Sequence, residues 1–424
     1  MTGQPLARRF LLLASAVLVG CDPGGESDAV PHTVFDSAGV EVVVNRAPQL
    51  GDGAWTVSSE PVAKIGSVDG PEWALLDRVA GVAQLNDGRI ALLNGGTDEL
   101  RLHAPGGEFL EAIGGSGEGP GEFLAPWHLQ MLGDSVQVFD LLLSRLTVID
   151  PGGQVARMET LTWPDARGGV LYLGALSDGS HLGYFGVNLM YTGEISTTGL
   201  YRETSTMVRY TPDAASVETV GSFPGMEVFV VVGGDTPRQM TPPFGNRRLN
   251  VLHEDRLTMG FTERFELVQY APDGQLVRVL QKEVEPEPVT AEDRDTYVER
   301  YLAEVSSEAR RAITFPQTHP AFASLEADEL GNLWVEQYRR PVTDGGPSVW
   351  SIFDDEGRWL TELRSPEGLD VRFISPECAL DHSNHLRRAV PTQDDGMHRG
   401  DRPLRHMDGV RRYPDLLGPA SPPS

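Results

Sequence analysis

The chain has 424 residues, 40% of them hydrophobic and 8% aromatic, enough for a globular body of about 350 residues with an ample core. Its formal net charge of −26 repels nucleic acid and anionic lipid headgroups, which argues against both as partners. The 47 glycines and 31 prolines favour many turns and short strands over long helices.

The first residues follow the order of an export signal: Arg8 and Arg9, then an apolar run from Phe10 to Gly20, with a small residue before Cys21. That run is too short to span a bilayer as a stable helix. Leu18-Val19-Gly20-Cys21 resembles the lipobox of bacterial lipoproteins. The resemblance implies that residues 1–20 are a signal peptide, that Cys21 carries lipid, and that the mature chain is tethered to a membrane of the cell envelope, facing the periplasm or the exterior. The arginine pair lacks the rest of a twin-arginine signal. Residues 21–32 begin Cys21-Asp22-Pro23-Gly24-Gly25-Glu26 and read as a flexible tether. With Cys21 lipidated, Cys378 has no partner in the chain, and no internal disulfide is expected.

Beyond the tether one pattern recurs. A strand-like run enters Asn86-Asp87-Gly88, and Leu100-Arg101-Leu102-His103 turns through Ala104-Pro105-Gly106-Gly107 into Glu108-Phe109-Leu110. The same order returns at Gly133–Val155, in degraded form at Leu176–Asp213, and again at Glu254–Val277 and Asp328–Trp359. Each copy alternates apolar and polar residues at period two between tight turns, which predicts an antiparallel meander of about four short strands. Units of roughly 45 residues built this way suit propeller blades. The junction sequences Ile65-Gly66 to Gly70-Pro71-Glu72 and Ile113-Gly114 to Gly119-Pro120-Gly121-Glu122-Phe123 resemble the NHL-repeat group, and more closely the six-bladed β-propeller lipoproteins of bacteria. The resemblance covers roughly residues 33–380 and implies an all-β fold, a six-bladed β-propeller of four-stranded antiparallel blades. Five internal copies supply five blades. The sixth is expected to be split, joining Val34–Val43 to a C-terminal start at Val371-Arg372-Phe373-Ile374, which would close the ring.

Two insertions interrupt the rhythm and are expected to cover one rim, where ligand specificity usually sits. One, Phe223–Arg248, carries the apolar run Val228–Val232. The other, about 290–313, reads as helical, with Thr290 and Asp293 resembling a capping box and Val298, Leu302, Val305 and Ala309 on one face. From Asp381 to Ser424 the chain is rich in Arg, Asp, His and Pro and shows neither period, so 381–424 is expected to be a disordered tail.

The glycine-rich run Gly114–Gly121 lacks the Lys-Ser/Thr ending of a phosphate loop and reads as a blade connection. Serine-elbow, His-Glu-x-x-His and paired Cys-x-x-Cys motifs are absent. Asp87, Asp134, Asp178 and Asp255 suit turns better than calcium, and Trp334, Trp350 and Trp359 suit packing between blades. His128 and His319 each stand at the start of a blade. If both reach the channel mouth, they are candidate ligands of a divalent metal, together with acidic neighbours such as Asp328 or Glu326. Two functional expectations result. The first is a cell-envelope lipoprotein whose propeller is a binding or scaffold module for a protein, peptide or glycan. The second is a metal-dependent propeller enzyme, lactonase-like or lyase-like, with His128 and His319 in its site.

Overall fold

The computed structural model describes residues 30–391, apart from 52–53, 68, 162–169, 187–194, 212–215, 233–237, 304, 306, 329, 341–345, 366–370, 375–377 and 382–384. The signal peptide and Cys21 lie outside the described residues, as do residues 392–424.

The chain folds as a β-propeller of four-stranded antiparallel blades, and the five internal copies of the sequence repeat become five meanders. Before them come β1 (His32–Ser37), β2 (Val40–Asn45) and β3 (Trp55–Lys64). Blade 1 is β4 (Val79–Gln84), β5 (Ile90–Asn94), β6 (Glu99–His103) and β7 (Phe109–Gly114). Blade 2 is β8 (Pro126–Leu132), β9 (Ser135–Asp140), β10 (Arg145–Ile149) and β11 (Val155–Thr160). Blade 3 is β12 (Val170–Ala175), β13 (His181–Gly186), β14 (Gly199–Tyr210) and β15 (Val217–Val231), extended by β16 (Arg238–Met240). Blade 4 is β17 (Arg248–His253), β18 (Arg256–Phe261), β19 (Glu266–Tyr270) and β20 (Leu276–Lys282). Two helices, α1 (Ala291–Tyr301) and α2 (Ser307–Ala312), precede blade 5, which is β21 (Phe322–Ala327), β22 (Leu333–Gln337), β23 (Val349–Phe353) and β24 (Trp359–Arg364). Last come β25 (Val371–Ile374), β26 (Cys378–Asp381) and β27 (His385–Pro391).

The turns form because the sequence places glycine where the backbone needs it. Gly107 has φ 94°, and a Cβ there would lie 2.5 Å from the Lys64 carbonyl oxygen, so only glycine fits both the conformation and the close approach. Two of the turn aspartates, Asp87 and Asp178, bond their own turns as expected, while the bonds of Asp134 and Asp255 link blades. Asp87 accepts from Arg89 N at 3.0 Å and Asp178 from Ser180 N at 2.9 Å. Asp134 accepts from Asn86 of blade 1 at 2.6 Å, and Asp255 from Ser177 N of blade 3 at 2.7 Å.

The core lies between blades. Leu93, Leu102, Phe123, Leu129 and Met131 fill the space between blades 1 and 2, and Phe139, Tyr172 and Tyr210 that between blades 2 and 3. Leu176, Leu182, Leu257 and Met259 join blades 3 and 4, and Leu267, Leu280, Phe322 and Phe353 join blades 4 and 5. Trp359 packs between blades 4 and 5 as expected, while Trp334 and Trp350 are buried with Val57 of β3.

Three expectations are corrected. Five blades are built, not the six inferred from the repeat. The remaining sheet, in the order β25-β26-β27-β3, is assembled from distant parts of the chain. The segment Val34–Val43 does not meet Val371–Ile374. Instead β1 and β2 form a hairpin whose second strand pairs in parallel with β20, making blade 4 six-stranded. Arg278 binds Glu41 there, and Asn45 donates to the carbonyls of Gln281 (3.2 Å) and Gly357 (3.0 Å) while accepting from Trp359 N at 2.8 Å. The chain then runs along β24, with Gln49 N and Leu50 N donating to the Trp359 and Leu360 carbonyls, before β3 pairs antiparallel with β27. Val and Phe alternation marks β1 and β2 as strands, but their partner is chosen by the buried Asn45. Finally, strands continue to Pro391, past the boundary at 380 that composition suggested.

Candidate functional site

Both insertions belong to the rim from which the first strands of blades 4 and 5 depart. The first is largely strand, not loop. β13 pairs only with Ser205–Tyr210 of the 12-residue β14, while Gly199–Arg202 pairs onward with Glu227–Val230 of the 15-residue β15. The two long strands and β16 therefore overhang the blade as a ribbon. The overhang reads as strand because Val228-Phe229-Val230-Val231 is β-branched and aromatic. Its Phe229 is buried with Leu302 and Ile313, against Val231, Met240, Tyr297, Val298, Val305 and Phe315, so ribbon and helices share a small core of their own. Val298, Leu302 and Val305 thus face inward as the helical pattern predicted. Arg202 ties the ribbon to Glu227 at 2.9 Å and to Glu263 of blade 4.

The expected capping box at Thr290 and Asp293 is present, with the Asp293 carboxylate accepting from Thr290 N at 2.9 Å and from its hydroxyl at 2.7 Å. The same carboxylate, fully buried, takes a two-pronged bond from Arg340 of blade 5, at 3.1 Å from Nε and 2.9 Å from Nη2. It also faces His319 Nε2 at 3.2 Å. Burial alone would raise the Asp293 pKa, but Arg340, Thr290 and His319 together hold it well below the carboxylate range. Around this node stand aromatic rings. Phe244 meets His319 edge-on at 4.7 Å and Tyr297 at 5.2 Å, and Tyr338 stacks on His319 at 5.4 Å. Burial pushes the Tyr297 and Tyr338 phenols up to about 12, so both stay neutral donors. Phe244 has φ 50°, a left-handed conformation costly for a bulky residue and held only where its surroundings fix it. On the outside of this assembly, Tyr301 is 57% and Leu200 49% exposed, and Met226 and Val232 are exposed too.

The two sequence-predicted histidines stand apart. On β8, Leu129 and Met131 face blade 1, so His128 and Gln130 face blade 3. His128 is buried edge-on to Tyr172 at 5.2 Å, whose hydroxyl meets His181 Nδ1 at 2.9 Å and accepts from Gln137 at 2.8 Å. His319 has the different set of partners given above. Asp328 follows β21 while His319 precedes it, a strand roughly 20 Å long between them. The Asp328 carboxylate serves its own turn, accepting from Asn332 N (2.9 Å), the Asn332 amide (2.8 Å) and Trp334 Nε1 (3.0 Å). Burial raises its pKa against those bonds. Glu326 is buried on β21, with Ser324 Oγ donating to it at 3.4 Å. Among the described residues no group of three or more His, Cys, Asp or Glu side chains is placed to hold a metal ion. At His319 and Asp293 the donor set fits a divalent ion poorly, because the guanidinium of Arg340 already fills the carboxylate's open side.

Sequence reasoning found Thr290, Asp293 and His319 but missed Arg340, Phe244 and Tyr338. Arg340 carries no local signal, since its partner is 47 residues away. The Pro242-Pro243-Phe244-Gly245 run was a signal of constrained backbone.

No family model matches the chain, and no curated protein is similar to it in sequence. Among solved structures, it is similar to a member of the duf4221 family from Bacteroides vulgatus, at 10% identity over 79% of this chain and 97% of that one, TM-score 0.47. A gluconolactonase from Xanthomonas campestris is 11% identical over 88% and 99%, TM-score 0.43. A virginiamycin B lyase from Staphylococcus aureus is 9% identical over 74% and 94%, TM-score 0.35.

Proposed function

We propose that this protein is an exported, lipid-anchored binding module of the bacterial cell envelope, and that the rim assembly is its face for a protein, peptide or glycan ligand. One observation carries the reading: exposed apolar side chains, Tyr301, Leu200, Met226 and Val232, stand on the overhanging ribbon and the helices, which have their own core and a buried charged node. Preorganised apolar surface with a few fixed polar groups is what a binding site needs. Val57 packs on Trp334 and Trp350, and Ala63 and Ile65 pack on Val82, Ile90 and Leu92, so β3 lies against both blade 5 and blade 1. Anchoring would come from lipid on Cys21.

A metal-dependent enzyme with His128 and His319 as ligands is the alternative reading, and it is the weaker one because the two histidines stand on different blades with different partners and Arg340 occupies the Asp293 carboxylate beside His319. Thermal shift on the soluble chain from Ser27 separates the two, using panels of peptides, oligosaccharides and lactones with and without divalent metals. The binding reading expects a peptide or oligosaccharide to raise Tm, and Tyr301→Asp with Leu200→Asp to abolish the rise. A rise with a metal alone, lost in His128→Ala with His319→Ala, would overturn it in favour of the enzyme. Loss of membrane association in Cys21→Ala tests the anchor.

A further inference from the structure

The two glycine-rich junctions begin alike and end differently. In the second, Gly114 has φ 101°, and a Cβ there would lie 2.8 Å from the ring of Phe123, which is fully buried between blades 1 and 2. In the first, Gly66 has φ 91°, but the side chain over it is Leu76, 2.9 Å from where a Cβ would be. Leu76 thus fills the position that Phe123 fills in the next junction. The aromatic residue that follows Gly-Pro-Glu in the first junction, Trp73, is left over, and it lies 45% exposed on a single 3-10 turn, Glu72–Ala74.

A surplus tryptophan would normally be free to move, yet this one is fixed. Arg101 of β6, almost fully buried, donates from Nη1 to the carbonyls of Trp73 (2.8 Å) and Leu75 (2.7 Å). Its charge is balanced by Glu99, which accepts from Nε at 2.9 Å and Nη2 at 2.8 Å, and Thr97 accepts a further bond. The turn closes through Ala74 N to the Pro71 carbonyl at 2.7 Å and Ser67 N to the Ala74 carbonyl at 2.8 Å. One indole face stacks on Phe109 of β7, centroids 5.1 Å apart and planes at 20°, and Phe109 is backed edge-on by the buried His103. With one face covered and the residue nearly half exposed, the opposite face is open to solvent.

We propose that this open face of Trp73 is a stacking platform for a neutral sugar ring on the outer wall of blade 1. A rigid, flat aromatic face binds the apolar C–H face of a pyranose without paying ordering entropy. The charged residues beside it in the chain are acidic, Glu72 next to Trp73 and Glu108 next to Phe109. They repel phosphate and sulfate groups and can accept hydrogen bonds from sugar hydroxyls. The proposal deepens the binding-module reading, on which it rests, but it does not use the rim.

The test is native electrophoresis of the soluble chain through gels containing laminarin, dextran, hydroxyethylcellulose or glycol chitin, followed by calorimetry with the matching hexasaccharide. The platform predicts retardation in at least one gel, at least a tenfold loss of affinity in Trp73→Ala, and retention in Trp73→Tyr. Because Trp73 is outside the core, Trp73→Ala should keep the parent Tm, so lost binding is not lost folding. No retardation in any gel would overturn the platform and leave the rim reading standing. Retardation that survives Trp73→Ala but disappears in Tyr301→Asp would also overturn it and place the sugar on the rim. Displacement by tetramethylammonium but not by hexasaccharide would overturn it in favour of a cation site.

Discussion

Replacing Asp293 by Asn keeps the shape of the node and removes its charge. The carboxylate accepts bonds from Thr290 N, the Thr290 hydroxyl and two nitrogens of Arg340; an amide must turn its NH2 group toward donors on one side or the other. Loss of a capping box costs about 1 kcal/mol. Breaking a buried ion pair from one side costs about 3–5 kcal/mol, and the lower end applies because Arg340 is partly exposed and can be rehydrated. The sum is about 4 kcal/mol, or close to a thousandfold in the opening equilibrium of the rim. The blades have their own interfaces and should be spared, so the effect should be local. Hydrogen exchange by mass spectrometry would show amides of α1 losing protection by two to three orders of magnitude in Asp293→Asn, with β17 and β18 unchanged. Arg340→Met in the same background should restore part of that protection by removing the unpaired charge. Unchanged protection of α1 in Asp293→Asn would refute the claim that the node holds the rim.

Burial, with Arg157 adding and Asp178 opposing, holds His181 down from 6.5 to about 4. Its neutral form therefore contributes stability that is complete above pH 6.5 and is lost as the pH falls to about 4, about 3 kcal/mol in all. His103 and His253, also lowered by burial, act in the same direction. Urea midpoints between pH 7.5 and 4.5 should fall, and less so in His181→Gln; an equal slope in both would contradict the assignment. Asn45→Ala should lower stability by about 3 kcal/mol by stranding two carbonyls and an amide where β2 meets β20 and β24, read as a lower urea midpoint at constant m. Truncation after residue 380 should unfold at a lower temperature than truncation after Pro391, because β27 pairs along β3; equal Tm values would show that the sheet does not matter. Zinc, manganese or calcium should leave Tm unchanged in the parent, and a rise lost in His128→Ala would contradict that.

The blades were legible because their signals are local. Asp-Gly and Pro-Gly turns at fixed offsets and period-two alternation mark four strands without reference to anything distant, and the five copies are five blades. Closure was not legible. The strand that pairs with the C-terminal sheet is β3, whose Ser58-Ser59-Glu60-Pro61 interior hides it, while the cleaner alternation of β1 and β2 serves blade 4. The histidines mislead for a related reason. The inner strand of a blade is buried on both faces, so neither Leu129 nor His128 shows from sequence which one looks toward the neighbouring blade. Trp73 was passed over because its motif is read for fold, and only comparison with the buried Phe123 shows that it is not needed for packing.

The measurement that bears most directly on the binding-face reading is site-specific photocrosslinking in intact cells of the native host, with p-benzoylphenylalanine in place of Tyr301 on the rim or of Leu330 in the exposed β21–β22 turn. The reading predicts a discrete adduct from position 301, absent from position 330 and lost when Leu200 and Met226 are changed to Asp. Adducts of equal yield at both positions, or at 330 alone, would contradict it.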